Sequence, residues 1–354
     1  MKIAQVAPLF ESVPPKGYGG TERVVSYLTE ELMEQGHEVT LFASGDSVTQ
    51  AKLVPVIEES LRLDHQKLDW LAYYTLLLDT VFSSFRSFDV IHFHIDYLHL
   101  PLAKRSKMAY VTTLHGRLDL PELVPLYSRF AGAPLVSISD SQRSPLPWAN
   151  WQGTVHHGLP LDLYSFYPDA GDYFAFVGRI SPEKRVDRAI EIALRCGMPL
   201  YIAAKIDKNE ETYFEEAIKP LLNHPLVEYV GEIGEAEKNE FLGKAKALLF
   251  PVEWPEPFGL VQIESFACGT PVIAYACGAV PEIMEDGITG FIVNNQQEAF
   301  EAALNVETIN RRGCRDVFES RFTATHMAEQ YVQVYRNLIS RDQCSKITEE
   351  TARG

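Results

Sequence analysis

A chain of 354 residues with 46% hydrophobic and 23% charged side chains has material for two cored domains. Its formal net charge of −16 excludes a broad basic surface, and with it nucleic acid or anionic lipid as the main partner. Five cysteines (Cys196, Cys268, Cys277, Cys314, Cys344) form no CxxC pair, which points to reduced thiols and a cytoplasmic protein.

The first run, MKIAQVAPLF, is apolar but closed by Glu11, too short for a signal peptide, and reads as a strand over 2–8. Val24, Val25, Leu28, Leu32 and Met33 recur at helical spacing, so 21–35 is expected as a helix that stops at Gly36. Strand-like runs follow at 38–43, 89–93, 110–114, 134–138 and 153–156, with helical stretches between several of them. The most apolar stretch, 70–82, carries Asp79 and reads as a core helix rather than a membrane span. Gly158, Pro160, Pro168 and Gly171 interrupt the pattern. It restarts at 172 with DYFAFVGR, then alternates: helix 183–196, strand 199–204, helix 209–222, strand 226–230, helix 235–246, strand 247–250, a helix in EPFGLVQIESFACG, and strand 271–274. A long amphipathic helix is expected over 324–340, and 341–354 is a polar tail.

Strand–helix alternation of this kind predicts an α/β protein of two doubly wound, Rossmann-like domains facing a central cleft. The expected boundaries are 1–165, joined by the helix 324–340, and 166–323. Ligands of such sheets bind beyond the carboxyl ends of the strands, so functional residues should follow strands.

Four stretches satisfy that condition. In GYGGTER (17–23), the glycines allow close backbone approach to an anion at a helix start. Eight residues separate them from the strand and Glu22 takes the third glycine's place, so the dinucleotide fingerprint is a poor match; a plain surface loop fits equally well. In GRISPEKRVD (178–187), Arg179, Lys184 and Arg185 stand at a helix mouth, a pocket for a diphosphate or else a solvated helix start; Arg185 is expected on the solvent side. In EPFGLVQIE (256–264), Pro257 biases Glu256 away from helical geometry, and Gly259 opens a helix that contains Glu264. Glu264 then lies roughly 7–8 Å along the axis from Gly259. One carboxylate would meet the sugar of a nucleotide sugar and the other its ribose; a capping and a surface glutamate would share this spacing. In VTTLHG (111–116), His115 ends a strand before glycine, where it either touches a substrate or is structural. His92 and His94 have no cysteine or acid at metal-ligand spacing, and the chain has no Asp-x-Asp, so no metal site and no cofactor is expected.

Taken together, GGTERVV, TLHG, VSISDSQR, the FVGR-x4-K step and EPFGLVQIESFACGTPVIAYACGAVPEI resemble the retaining glycosyltransferases of family 4, whose fold is called GT-B. The resemblance runs from residue 1 to about 340 and implies a role for each matching residue. Glu256 would contact the donor sugar and Glu264 the ribose. Arg179 and Lys184 would hold the diphosphate, helped by the backbone at Phe258, Gly259 and Leu260. Gly19 and Gly20 would close over the donor from the first domain, and His115 would lie beside the sugar. The chain departs from the family where Arg185 follows Lys184 at a position that commonly holds glycine. The expected reaction is retaining, metal-independent transfer from a nucleoside-diphosphate sugar, UDP before GDP, by front-face attack. A nucleotide-sugar epimerase and a non-catalytic binding protein are the alternatives. The acceptor, whether sugar, lipid-linked or small molecule, would dock on the first domain, with Tyr18, Tyr97 and Arg117 as contacts.

Overall fold

Short Val-, Ile- and Ala-rich runs buried on both faces are what parallel strands require, and every strand here pairs in parallel. The computed structural model describes residues 1–17, 19–62, 69–106 and 108–351, with side chains up to Arg341. The chain divides into two units, Met1–Gly158 with Ala324–Gly354, and Leu159–Thr323.

The first unit holds β1 (Lys2–Val6), β2 (Glu38–Ser44), β3 (Lys52–Ile57), β4 (Val90–Phe93), β5 (Tyr110–Thr113), β6 (Leu135–Ser137) and β7 (Trp151–Thr154). They form one seven-stranded sheet in the order β3-β2-β1-β4-β5-β6-β7. Ala4, Val6, Phe42, Ile91 and Phe93 pack on one face against Tyr74, Leu77 and Val81 of the helix Trp70–Ser84. That helix buries one stripe only, and Trp70, Leu71 and Leu76 are exposed, so it covers the core rather than lying inside it. Strand β3 is absent from the expectation above. Pro55 interrupts its pattern, and a proline is tolerated because β3 is an edge strand.

The second unit holds β8 (Phe174–Arg179), β9 (Leu200–Lys205), β10 (Val227–Gly231), β11 (Ala247–Phe250), β12 (Val272–Tyr275) and β13 (Gly290–Val293), in the order β10-β9-β8-β11-β12-β13. The outward order from β8 and β11 is that of a doubly wound sheet, with its switch point between those two strands. The four-residue edge strand β13 was not expected either. Gly290 enters it at φ 142°, where a Cβ would meet the Val272 carbonyl oxygen at 1.8 Å. The helix expected over 209–222 is broken into short 3-10, α and π turns from Lys208 to Asn223, with Pro220 in the final turn.

The division falls at Gly158 and Leu159 rather than at 165, for a reason visible in the helix Arg311–Arg321. Buried Arg315 donates to the carbonyls of Leu161, Tyr164 and Ala267, and buried Arg311 to those of Tyr167, Gly243 and Ala245. These guanidinium contacts bind residues 161–167 to the second unit. The final helix runs Ala324–Thr351, so the tail expected from 341 continues the helix as far as Thr351. No helix among the described residues is long and apolar enough to cross a membrane.

Candidate functional site

The second unit gathers its expected residues at the carboxyl ends of β8 and β11, on either side of the switch point. Beyond Arg179 the chain makes a 3-10 turn, Pro182–Lys184, before the helix Val186–Cys196. Beyond β11, residues 251–259 lead into the helix Leu260–Cys268. The Glu253 amide donates to the Glu183 carbonyl at 3.1 Å, tying the two loops side by side. Lys184 Nζ thereby lies 2.5 Å from Glu256 Oε2, both side chains mostly buried. The ammonium also lies 5.8 Å from the centre of the Phe250 ring and 5.9 Å from that of Trp254, within cation–π range.

The Glu256 backbone is fixed from below. Ala279 donates to its carbonyl at 3.0 Å, and a Cβ on Gly278 would strike its amide nitrogen at 2.4 Å. The CGAV stretch that follows the expected strand 271–274 thus sets the height of Glu256, a role its sequence did not disclose. Gly259 is the helix N-cap at φ 84° and gives no side-chain cap. A Cβ there would crowd Gln262 at 2.7 Å and Phe250 at 3.0 Å. A glycine is required, and it places no capping side chain at the N-terminus of this helix, the end that attracts an anion.

Glu264, 3% exposed, accepts from Lys238 Nζ at 2.8 Å. Lys238 belongs to the helix Glu235–Gly243 that follows β10, and stands 3.8 Å from Glu235; Glu235 in turn accepts from the Tyr164 hydroxyl. Sequence reasoning assigned Lys238 no partner; its only signal was the Glu235–Lys238 spacing on a helix face.

Arg179 and Lys184, expected to act as a pair, hold different carboxylates: Arg179 Nη1 is 3.4 Å from Asp207 Oδ2. Burial alone would raise the Asp207 carboxyl, but the hydrogen bonds and charges of Lys205 and Arg179 hold it below its usual range. Arg185 does not face solvent freely. It pairs with Asp187 at 2.9 Å and with Glu253, and Arg188 reaches Glu253 at 2.7 Å. Its backbone is left-handed, φ 53° and ψ 46°. The position where family members commonly carry glycine therefore demands glycine-like geometry, and here carboxylate bonds hold an arginine in it.

The remaining expected residues lie in the first unit. Gly20 opens the helix Gly20–Glu34, and Gly19 caps it so closely that a Cβ would meet Pro15 at 2.8 Å. Glu22 in the first turn of this helix is buried, and desolvation pushes its carboxyl up to about 7. His115 follows β5 and is only partly exposed. Burial pushes its imidazole down to about 3, so it is neutral at physiological pH. Arg117 holds Asp119 at 2.7 Å, and Tyr97 is exposed. Tyr18 lies outside the described residues.

Two family models match the chain, one on each unit: "Glycosyltransferase Family 4" over residues 18–151 and "Glycosyl transferases group 1" over residues 167–309. The chain therefore belongs to the family 4-like glycosyltransferases with the GT-B fold. Among its relatives, an O-antigen chain mannosyltransferase C of Escherichia coli is 25% identical, over 95% of this chain and 99% of that protein. An uncharacterised 41.2 kDa protein of the Klebsiella pneumoniae cps region is 30% identical, over 46% of this chain and 45% of its own length. The sucrose-phosphate synthase structure from Thermosynechococcus elongatus superposes with a TM-score of 0.80, covering 96% of this chain and all of that one, at 18% identity. At that identity the likeness speaks for the fold.

Proposed function

We propose that the protein transfers a sugar, with retention of anomeric configuration, from a nucleoside-diphosphate sugar to an acceptor, in the cytoplasm and without a metal ion. The observation that carries this reading is the Lys184–Glu256 pair, set beside the glycine-opened helix that bears Glu264. In one small region it offers a cation and a helix N-terminus for a diphosphate, one carboxylate for the sugar and a second, held by Lys238, for the ribose.

In this reading Arg179 and Lys184 take the diphosphate with the amides at Phe258, Gly259 and Leu260. Glu256 and Glu264 accept hydroxyl hydrogen bonds from sugar and ribose. From the first unit, Gly19, Gly20 and His115 serve the donor, as the resemblance implies. As the glycosidic bond to phosphate breaks, its electron pair stays on the diphosphate. The acceptor oxygen attacks from the same face and gives its proton to the leaving phosphate oxygen, while Lys184 and Arg179 stabilise the growing charge. UDP is the preferred carrier and GDP the next.

The test is release of nucleoside diphosphate from UDP-glucose, GDP-mannose and ADP-glucose, with and without EDTA, across panels of simple sugars, polyprenyl-linked sugars and small-molecule acceptors. Turnover that persists in EDTA and yields a product of unchanged anomeric form supports the reading. Activity lost in EDTA and restored by magnesium, or an inverted product, overturns the mechanism. Free epimerised sugar would identify an epimerase instead.

A further inference from the structure

His115 has two ring nitrogens, and the first unit treats them differently. Its Nε2 lies 2.8 Å from His94 Nδ1. Its Nδ1 is buried without a hydrogen-bond partner among the described residues. Which nitrogen carries the proton decides whether His115 offers a donor or an acceptor at that unused position.

The surrounding bonds answer the question step by step. Gln5 Nε2–H donates to the Tyr335 hydroxyl at 3.2 Å, which leaves Gln5 Oε1 as the acceptor facing His94 Nε2 at 2.8 Å. His94 must therefore be protonated on Nε2, so its Nδ1 carries only a lone pair. The bond to His115 then requires His115 Nε2–H, and the unused Nδ1 is an acceptor. The chain continues the other way. Tyr335, whose hydroxyl accepts from Gln5, donates to His92 Nδ1 at 2.7 Å. His92 Nε2–H donates to Thr113 Oγ1 at 2.7 Å, and Thr113 bonds to the Tyr331 hydroxyl at 2.9 Å. Gln5, His92 and His94 are each at most 3% exposed. The bonds from His115 through His94, Gln5 and Tyr335 to His92 thus share one polarity.

We infer that Gln5 and His94 are positioning residues that fix the tautomer of His115, so that its Nδ1 stands as a hydrogen-bond acceptor for a donor-sugar hydroxyl. This rests on the proposed reading of His115 as a sugar contact and adds the device that sets its polarity. Burial holds His92, His94 and His115 neutral across the physiological range, so the chain of bonds is not scrambled by protonation. Tyr335 and Tyr331 come from the final helix, Ala324–Thr351, which gives that helix a part in setting the polarity of a residue that follows β5.

The test has a spectroscopic and a kinetic arm. In the full-length wild-type protein labelled with ¹⁵N-histidine, the His115 signal, assigned by comparison with His115→Asn, should show a protonated Nε2 and a bare Nδ1. His94→Leu removes the acceptor that holds this tautomer. His94→Asn keeps an amide oxygen near the place of Nδ1. With whichever of UDP-glucose and GDP-mannose the wild type cleaves, His94→Leu should lower kcat by about tenfold, the worth of one lost neutral hydrogen bond. The donor KM should change little, and His94→Asn should recover most of the loss. A wild-type His115 protonated on Nδ1 overturns the inference. So does a His94→Asn variant as slow as His94→Leu with both proteins melting like the wild type. If the tautomer is as stated but no nucleotide sugar is cleaved, the glycosyl-transfer reading fails, and the sugar-facing role fails with it.

Discussion

Lys184→Ala tests the diphosphate pocket most sharply, because the structure gives the lysine a second duty. Its Nζ lies 2.5 Å from Glu256 Oε2, and a charge-assisted bond to a phosphate oxygen spans about 2.8 Å. Any phosphate oxygen held by Lys184 is then within about 5.3 Å of the Glu256 carboxylate. At that separation two like charges repel by about 3 kcal/mol with an effective dielectric constant of 20. In the wild type Lys184 masks this repulsion. Its removal costs the phosphate bond, about 1.5–3 kcal/mol, and also uncovers the repulsion, so UDP should bind at least a hundredfold more weakly. Turnover should fall by a larger factor than binding of the intact donor, because the charge near Lys184 grows in the transition state. Adding Glu256→Gln removes the repelling charge. After screening by solvent, the double variant Lys184→Ala/Glu256→Gln should regain about 1–2 kcal/mol, or about tenfold in UDP affinity. Isothermal calorimetry with UDP and GDP on the wild type, both single variants and the double variant reads this directly. Glu256→Gln alone should bind UDP no more weakly than the wild type while losing activity. A double variant no better than Lys184→Ala would show that the phosphate does not lie between these side chains.

Glu264→Gln should weaken UDP binding by about tenfold or more, through loss of charged acceptors for the ribose; unchanged affinity in calorimetry would remove Glu264 from the site. Arg185→Gly should be more stable than Arg185→Ala by about 1 kcal/mol, because both lose the carboxylate bonds and only alanine keeps the left-handed strain; equal melting temperatures would refute this. Acid should destabilise the first unit. His92, His94, His99, His115 and His157 are held neutral, with desolvation placing each well below 6.5. Their stabilisation is present above pH 6.5 and is lost as pH falls, because the unfolded chain then binds protons that the fold refuses. Each contributes about 1.4 kcal/mol of loss between pH 7.5 and 5.5. Glu22, raised to about 7, opposes this by about 2 kcal/mol because it is protonated earlier in the fold than in the unfolded chain. The net loss of about 5 kcal/mol should lower the melting temperature by about 15 °C, and a melt that does not move over this range would contradict it.

The sequence was most informative where local chemistry and global geometry agree. Buried runs such as FAFVGR and ALLF announced parallel strands, and Gly259 stands where a Cβ would crowd Gln262 and Phe250. It was least informative at edges. Strand β3 carries Pro55 and β13 has four residues, so neither presents a buried run of ordinary length. The candidate site divides the same way. Lys184, Glu256, Gly259 and Glu264 were legible because their spacing is local, within one loop or one helix. Their partners were not. Asp207 follows β9, Lys238 follows β10 and Glu253 meets Arg185 across sixty-eight residues, and such pairings are set by strand order, which spacing along one chain does not encode. Arg185 shows the converse case. At this departure from the family pattern the arginine keeps a left-handed backbone, the geometry that glycine adopts without strain.

The discontinuity of the first unit bears on how the protein is made. Domains ordinarily close in the order in which the ribosome releases them. Here the segment Leu159–Thr323 is whole as soon as its last residue emerges, and its ends already meet, Leu159 pairing beside Thr323 with its amide bonded to Phe322 at 2.9 Å. The segment made first must wait. Its histidine network has no Tyr331 or Tyr335 until the final helix leaves the exit tunnel, so His92 and Thr113, both buried in the finished fold, spend most of synthesis without those bonds. The nascent amino-terminal half is accordingly the part most exposed to chaperones, and a premature stop before residue 331 would leave the first unit, not the second, without an element of its fold.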